Sequence, residues 1–254
     1  TPLLVSCQNG HLEVVQFLLQ QPTIDVNKDA QGWSPLALAK NGNHNEIVQL
    51  LKDAGATYTI KEAVAANDIN YIQQWITNLK KKKDKKEINE SLIAASSKNY
   101  IDIVKLLIAA GGNVNQAKTT NGASPLFLAA GNGDVDLVKV LIQAGGDANQ
   151  ADTEDGMSPL YIASGRGHVA AAQVLIKAGG NVNQVDTTYG ATPLYTAAEH
   201  GYVDLVQVLI AAGGNVNQTR AIDGTSPIYS ASQKGNVDLV KVLIEAGGNV
   251  NQAQ

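Results

Sequence analysis

From about residue 111 onward, apolar and polar positions recur as a two-part unit rather than as one long helix or an alternating strand. In the copy that begins at Ser124, Leu126, Ala129 and Ala130 give a short helical face built mostly of small residues. Gly131-Asn132-Gly133 is turn chemistry and predicts the end of that helix. A second stripe, Leu137, Val138, Leu141 and Ile142, predicts a helix over about 135–143, with Gly145 placed for a left-handed cap. Residues 147–157 are rich in Asn, Asp, Thr and Gly and read as an extended loop or hairpin arm. The Ser124-Pro125 start is apt. The hydroxyl can accept from an orphan amide, and proline at the first helical position forfeits no hydrogen bond.

The pattern restarts at Ser124, Ser158, Thr192 and Ser226, a spacing of 34 residues. Neither helix is long enough to bury its face alone, so the copies must stack and share one core. The same reading divides the chain at about 1–33, 34–57, 58–89, 90–123, 124–157, 158–191, 192–225 and 226–254, a single array throughout. Two positions that call for glycine in a turn carry Asn43 and Asn99, and asparagine tolerates positive φ. The third repeat passes from Ala54-Gly55-Ala56 almost directly into a helix over 60–66, so its hairpin is missing. Its second helix, expected over 69–79, has a bulkier stripe of Tyr71, Ile72, Trp75 and Ile76.

Ser/Thr-Pro-Leu, paired alanines, Gly-His, a Val-Leu-Ile run and Ala-Gly-x-x-Val-Asn together resemble the ankyrin repeat. Thr1-Pro2-Leu3 with Gly10-His11, and Ser158-Pro159-Leu160 with Gly167-His168, carry the likeness most fully. The resemblance implies an all-α fold: an ankyrin-repeat α-solenoid of stacked helix-turn-helix units with hairpin loops, irregular at repeat three. It also implies a non-catalytic module that binds another protein on its concave hairpin and first-helix surface, and asparagine hydroxylation at Val-Asn-type segments such as those of Asn27 and Asn149. The sequence departs from the family where a histidine commonly follows Pro-Leu: Phe127, Tyr161, Tyr195 and Tyr229 stand there. The C-terminal repeats are also one residue longer than the usual length.

Composition agrees. Apolar residues make up 44% but aromatics only 5%, which suits uniform stacking of small units. A net charge of −4 supplies no pull toward nucleic acid. One cysteine, Cys7, excludes an internal disulfide framework and fits a reducing compartment. No apolar run approaches the roughly 20 residues of a membrane span. The first residue falls inside a repeat and neither end has a polar cap, so the chain reads as a fragment of a longer protein, cytoplasmic, or nuclear if the lysine run is an import signal.

That run, Lys80-Lys81-Lys82-Lys83-Asp84-Lys85-Lys86, reads either as a nuclear-import or acidic-ligand patch or as a solvated loop in place of a hairpin. It has no aromatics to stack bases. His11 and His44 occupy the same turn position in successive repeats. Packed helices lie about 8–10 Å apart, too far for both to reach one zinc ion at about 2 Å. Hydrogen bonding in the turn is the expected role. Cys7 and His11 lack an orienting third group, and Cys7 sits at a small packing position, so no nucleophile is expected. Gly131-Asn132-Gly133 and Gly165-Arg166-Gly167 lack the strand and Gly-Lys-Ser/Thr of a phosphate loop. No cofactor or small-molecule substrate is expected.

The functional signal is the contrast between a fixed frame and two freely changing sets of positions. One set precedes each Ser/Thr-Pro and includes Trp33, Asn121, Asp155, Met157, Tyr189 and Asp223. The other lies late on the first helix and includes Asn132, Arg166, Glu199, His200 and Lys234. The resemblance places both on the partner-facing surface, with Trp33, Met157 and Tyr189 as exposed anchors and Arg166, His200 and Lys234 as polar contacts. The Phe127, Tyr161, Tyr195, Tyr229 series reads either as a binding stripe or, the favoured reading, as structural wedges between repeats. An alternative function is a targeting or scaffolding arm of a larger enzyme or effector whose catalytic domain lies outside these residues; a plain spacer ranks below it.

Overall fold

The computed structural model describes residues 1–30, 32–78 and 85–252. Among them lie sixteen α-helices and no strand; one isolated backbone pairing joins Ala30 and Trp33. The expected run at Lys80 to Asp84 and the end of the helix expected to reach Leu79 lie outside the described residues. The molecule divides into two units, Thr1–Ala94 and Ala95–Gln254.

The first unit holds α1 (Pro2–Asn9), α2 (Leu12–Leu19), α3 (Pro35–Asn41), α4 (Asn45–Asp53), α5 (Ile60–Ala65) and α6 (Ile69–Thr77). The division between the units falls inside α7 (Lys85–Ser97), which begins at Lys85, before the position where sequence spacing opens the fourth repeat. Asn43 and Asn99 have φ of 57° and 55°, as the turns require, and Asn67 joins them at 51°.

In the third repeat a polar cluster stands where the hairpin is missing. Glu62, buried at 5% exposure, accepts from the Ser34 amide at 2.5 Å, from the Thr59 amide at 2.7 Å and from the Thr59 hydroxyl at 2.9 Å. It thereby ties α5 to the start of α3 and completes a capping box. Asp68 caps α6 through the Tyr71 amide, pairs with Lys40 and accepts the Tyr58 hydroxyl. Tyr58 and Tyr71 stack with ring centroids 4.3 Å apart. Every charge in the cluster has a partner, which is what makes its burial tolerable.

The second unit continues with α8 (Ile101–Ala109), α9 (Pro125–Asn132), α10 (Val135–Gln143), α11 (Pro159–Gly165), α12 (Val169–Lys177), α13 (Pro193–His200), α14 (Val203–Ala211), α15 (Pro227–Gln233) and α16 (Val237–Glu245). Each first helix starts as its Ser/Thr-Pro pair dictates. Ser124, Ser158 and Thr192 accept from the amides of Phe127, Tyr161 and Tyr195 at 3.1 Å, and Ser226 from Tyr229 at 3.3 Å. α9 runs through Gly131 and Asn132, one stage further than their turn chemistry suggests, and Gly133 with φ 75° supplies the left-handed cap. The second helix occupies 135–143 as expected, with Gly145 at φ 89°.

First helices pack on first helices (α9 on α11, α11 on α13, α13 on α15), and second helices likewise from α8 to α16. On the first helices Ala129, Ala130, Ala163, Ser164, Ala197 and Ala198 are all buried. The second helices bury the larger Leu137, Leu141, Leu175, Leu205 and Leu209. The first helices pack on one another more extensively than the second helices do, as their smaller side chains allow.

An asparagine ladder stitches the loops together. Asn115, Asn149, Asn183 and Asn217 each donate through Nδ2 to the carbonyl of Gly145, Gly179, Gly213 and Gly247, all at 3.0 Å. The Oδ1 of each accepts the amide of Asp147, Asn181, Asn215 and Asn249 at 2.7–2.9 Å. One side chain thus satisfies a helix-end carbonyl and a loop amide of the next repeat.

Candidate functional site

Four hairpins of the second unit close in the same way on the backbone. The amides of Lys118, Asp152, Asp186 and Arg220 donate to the carbonyls of Ala123, Met157, Ala191 and Thr225 at 2.9–3.0 Å. Their side-chain closure comes in two forms. Asp152 and Asp186 are buried and cap their own turns: Asp152 accepts the Met157 amide at 2.8 Å, and Asp186 accepts those of Tyr189, Gly190 and Ala191. In the flanking hairpins the carboxylate position holds Lys118 or Arg220, and the capping falls to Asn121 and Asp223, which accept the amides of Ala123 and Thr225 at 3.2 and 3.1 Å. Capping by Asp186 leaves Tyr189 free to point outward, 44% exposed. Capping by Asp223 leaves Arg220 free to reach inward over Tyr195, 5.1 Å from its ring centroid.

Between these two hairpins lies a groove of about 540 Å³. Its lining comes from three successive repeats: Met157 from one, Tyr161, Ile162, Gly165, Arg166, Tyr189 and Ala191 from the next, Thr196, Glu199, His200 and Arg220 from the third. The floor is aromatic and apolar. Tyr161, Ala191 and Tyr195 form a buried cluster with Met157 packed against it. Tyr195 shares a 2.8 Å hydrogen bond with the Thr225 hydroxyl. Burial, with the neighbouring Asp186 carboxylate, pushes the Tyr161 phenol up; burial also raises that of Tyr195, against the Thr225 bond and the Arg220 charge. Both rings therefore stay neutral.

The rim is charged. Arg220 donates to Glu199 at 3.2 Å and grips Asp223 through two nitrogens, at 3.2 and 2.5 Å. Arg220 and the Thr225 hydroxyl hold the Asp223 carboxyl well below the usual carboxylate range. Arg166 donates Nη1 to the Gly131 carbonyl at 2.7 Å, and a Cβ at Gly131 would lie 3.3 Å from that nitrogen. Glycine makes room for the arm. His200 bonds through Nδ1 to the Thr196 carbonyl at 2.8 Å.

Of the residues singled out from sequence, the groove gathers Met157, Arg166, Tyr189, Glu199 and His200. Asn132 and Lys234 stand at the same register and reach back to the carbonyls of Ser97 and Glu199, but do not line it. Asn121 and Asp223 are turn caps, and Asp155 accepts the Thr188 hydroxyl at 2.8 Å. Trp33 belongs to the first unit, half-buried beside its backbone partner Ala30. Met157 is half-buried as well, because it rests on the tyrosines. Arg220 was missed by sequence reasoning, though a signal existed: the series Lys118, Asp152, Asp186, Arg220 reverses charge at a fixed register. Of the turn histidines, His44 bonds as expected to the Gln8 carbonyl at 3.2 Å and His168 to that of Gly131 at 3.1 Å, whereas among the described residues the His11 ring makes no hydrogen bond.

Comparison with known proteins fits this frame. A family model described as ankyrin repeats (3 copies) matches residues 1–62, 60–152, 91–186, 126–220 and 175–254. A stretch of 66 residues, 26% of the chain, is 39% identical to the mouse (Mus musculus) protein named glutaminase liver isoform, mitochondrial. The match covers 11% of that relative's length. With matches running from the first residue to the last and helix pairs in the same periodic order, the chain belongs to the ankyrin repeat family.

Proposed function

We propose that the chain is a non-catalytic module that holds another protein on the first-helix and hairpin face of its second unit. Ankyrin repeats are in general protein-interaction modules and typically do no chemistry. One observation carries the reading here: the groove draws its walls from three consecutive repeats, yet its lining side chains differ from copy to copy while the frame does not. An apolar, aromatic floor with a charged rim is the usual make-up of an interaction hot spot.

The test is affinity capture with the parent chain, with Tyr189→Ala and Arg166→Glu in the groove, and with Gln173→Glu on the exposed side of α12 as a control. Proteins retained by the parent and the control but lost by both groove variants are expected. Equal capture by all four chains would remove the groove as the site. A second reading, the array as a targeting arm of a larger enzyme, draws on the mouse relative's printed name; sequencing the full transcript for an adjoining catalytic domain decides it.

A further inference from the structure

The charge and spacing of the groove narrow what it can hold. Among its lining residues Glu199 is the one carboxylate, and Arg220 already neutralises it. Asp223, which takes the other edge of that guanidinium, does not line the groove. Arg166 is different. It is exposed, a carbonyl rather than a carboxylate holds it, and a guanidinium has five donors of which that bond uses one. The groove therefore carries an unspent, pre-positioned positive fork. Beside it is apolar surface: a Cβ placed on Gly131 would touch Ile162 Cγ1 at 3.2 Å and Arg166 Nη1 at 3.3 Å, so both side chains border one gap.

Ile162 and Arg166 lie four residues apart on one helical face, which sets their Cβ atoms about 5–6 Å apart. In an extended strand, side chains two residues apart project to the same side about 6.6 Å apart. The two spacings match. Resting on the groove as the partner site, we propose that its occupant is an extended polypeptide segment with an apolar side chain and, two positions away, an aspartate or glutamate. The apolar group sits on Met157, Tyr161, Ile162 and Ala191; the carboxylate meets Arg166. A basic residue there would face Arg166 with no free carboxylate on the lining to receive it.

A displayed library of random dodecapeptides, selected on the immobilised chain, provides the probe. Enriched peptides are expected to share apolar-x-acidic spacing in either direction. Labelled copies of the best peptide, made with Glu, Gln or Lys at the acidic position, are then titrated by fluorescence anisotropy. The Glu form should bind about two- to fivefold tighter than the Gln form, the span of an exposed ion pair. That preference should shrink as salt shortens the screening length and invert toward Lys in Arg166→Glu. Binding that is lost in Tyr189→Ala and Ile162→Asp chains of unchanged melting temperature, but shows no acidic preference, would overturn this inference and leave the groove standing. Peptides that bind all variants alike, or no enrichment at all, would overturn both.

Discussion

Replacing Asn183 by alanine removes one rung of the asparagine ladder and nothing from the core. The rung is two hydrogen bonds between repeats, Nδ2 to the Gly213 carbonyl at 3.0 Å and the Asn215 amide to Oδ1 at 2.9 Å. A net contribution of about 0.5–1.5 kcal/mol for each bond gives about 1–3 kcal/mol. Gly213 and Asn215 are exposed, so water takes up the orphaned groups and the lower part of that range, about 1–2 kcal/mol, is expected. With a urea slope of about 2 kcal/mol/M, the midpoint of the second unit should fall by about 0.5–1 M. Because the lost bonds join neighbours, the transition should also broaden as coupling between repeats weakens. Both tryptophans, Trp33 and Trp75, lie in the first unit, so the change is followed by far-UV circular dichroism. Asn251 provides the control. It occupies the same place in its repeat, its backbone amide is bonded to Asn249, and among the described residues its side chain makes no bond. Asn251→Ala should cost less than about 0.5 kcal/mol. Asn183→Asp keeps the acceptor, loses the donor and should fall between. If Asn183→Ala and Asn251→Ala shift the midpoint equally, the ladder is decoration and the reasoning fails.

The third-repeat cluster makes the first unit acid-sensitive. Burial pushes Asp68 upward, but hydrogen bonds from Lys40, Tyr58 and the Tyr71 amide outweigh it and hold the carboxyl below its ordinary value. A depressed carboxyl contributes stability at pH values above its unfolded pKa of about 3.9, and loses it as pH falls through the folded value. Asp68→Asn should flatten the acid limb of a tryptophan-fluorescence titration, and an unchanged limb would refute the assignment. Cys7 is fully buried, and desolvation pushes its thiol up to about 11, so a thiol reagent at pH 8 should label it on the order of a hundredfold more slowly than the urea-unfolded chain. Labelling at the unfolded rate would mean α1 is frayed. Gly133→Ala should cost more than Gly201→Ala by about 1 kcal/mol in thermal melts. Both sit at positive φ, but a Cβ at 133 meets the His168 ring at 2.6 Å, whereas at 201 the nearest atom is the Asn236 amide at 3.2 Å. Equal losses would show that the His168 ring yields freely.

The helix pairs of the second unit were legible because their causes are local. Ser/Thr-Pro starts, Gly133 and Gly145 ends and the Leu137–Leu141 stripe each act within one or two turns. Asn43 and Asn99 were legible for the same reason. What was not legible depends on contacts some 30 residues distant. Periodicity marks Asn149 as recurrent but not as a rung, since its partners Gly179 and Asn181 belong to the next copy. Deletion of a hairpin is visible in sequence; the stacking of Tyr58 on Tyr71 and the closure over Glu62 and Asp68 that stand in its place are not. At the candidate site, variability pointed to Arg166, Tyr189 and His200, yet it grouped them with Asn121 and Asp223, whose variation is only a change of which residue caps a turn.

That exchange of caps has a wider meaning. Since either of two residues three apart can close a hairpin, one of them is always surplus to the frame and free to mutate. Such redundancy lets selection rewrite what a repeat touches, from a tyrosine to an arginine, without a folding intermediate step in which the loop stands open. The array is adaptable in its contacts because it is over-determined in its bends.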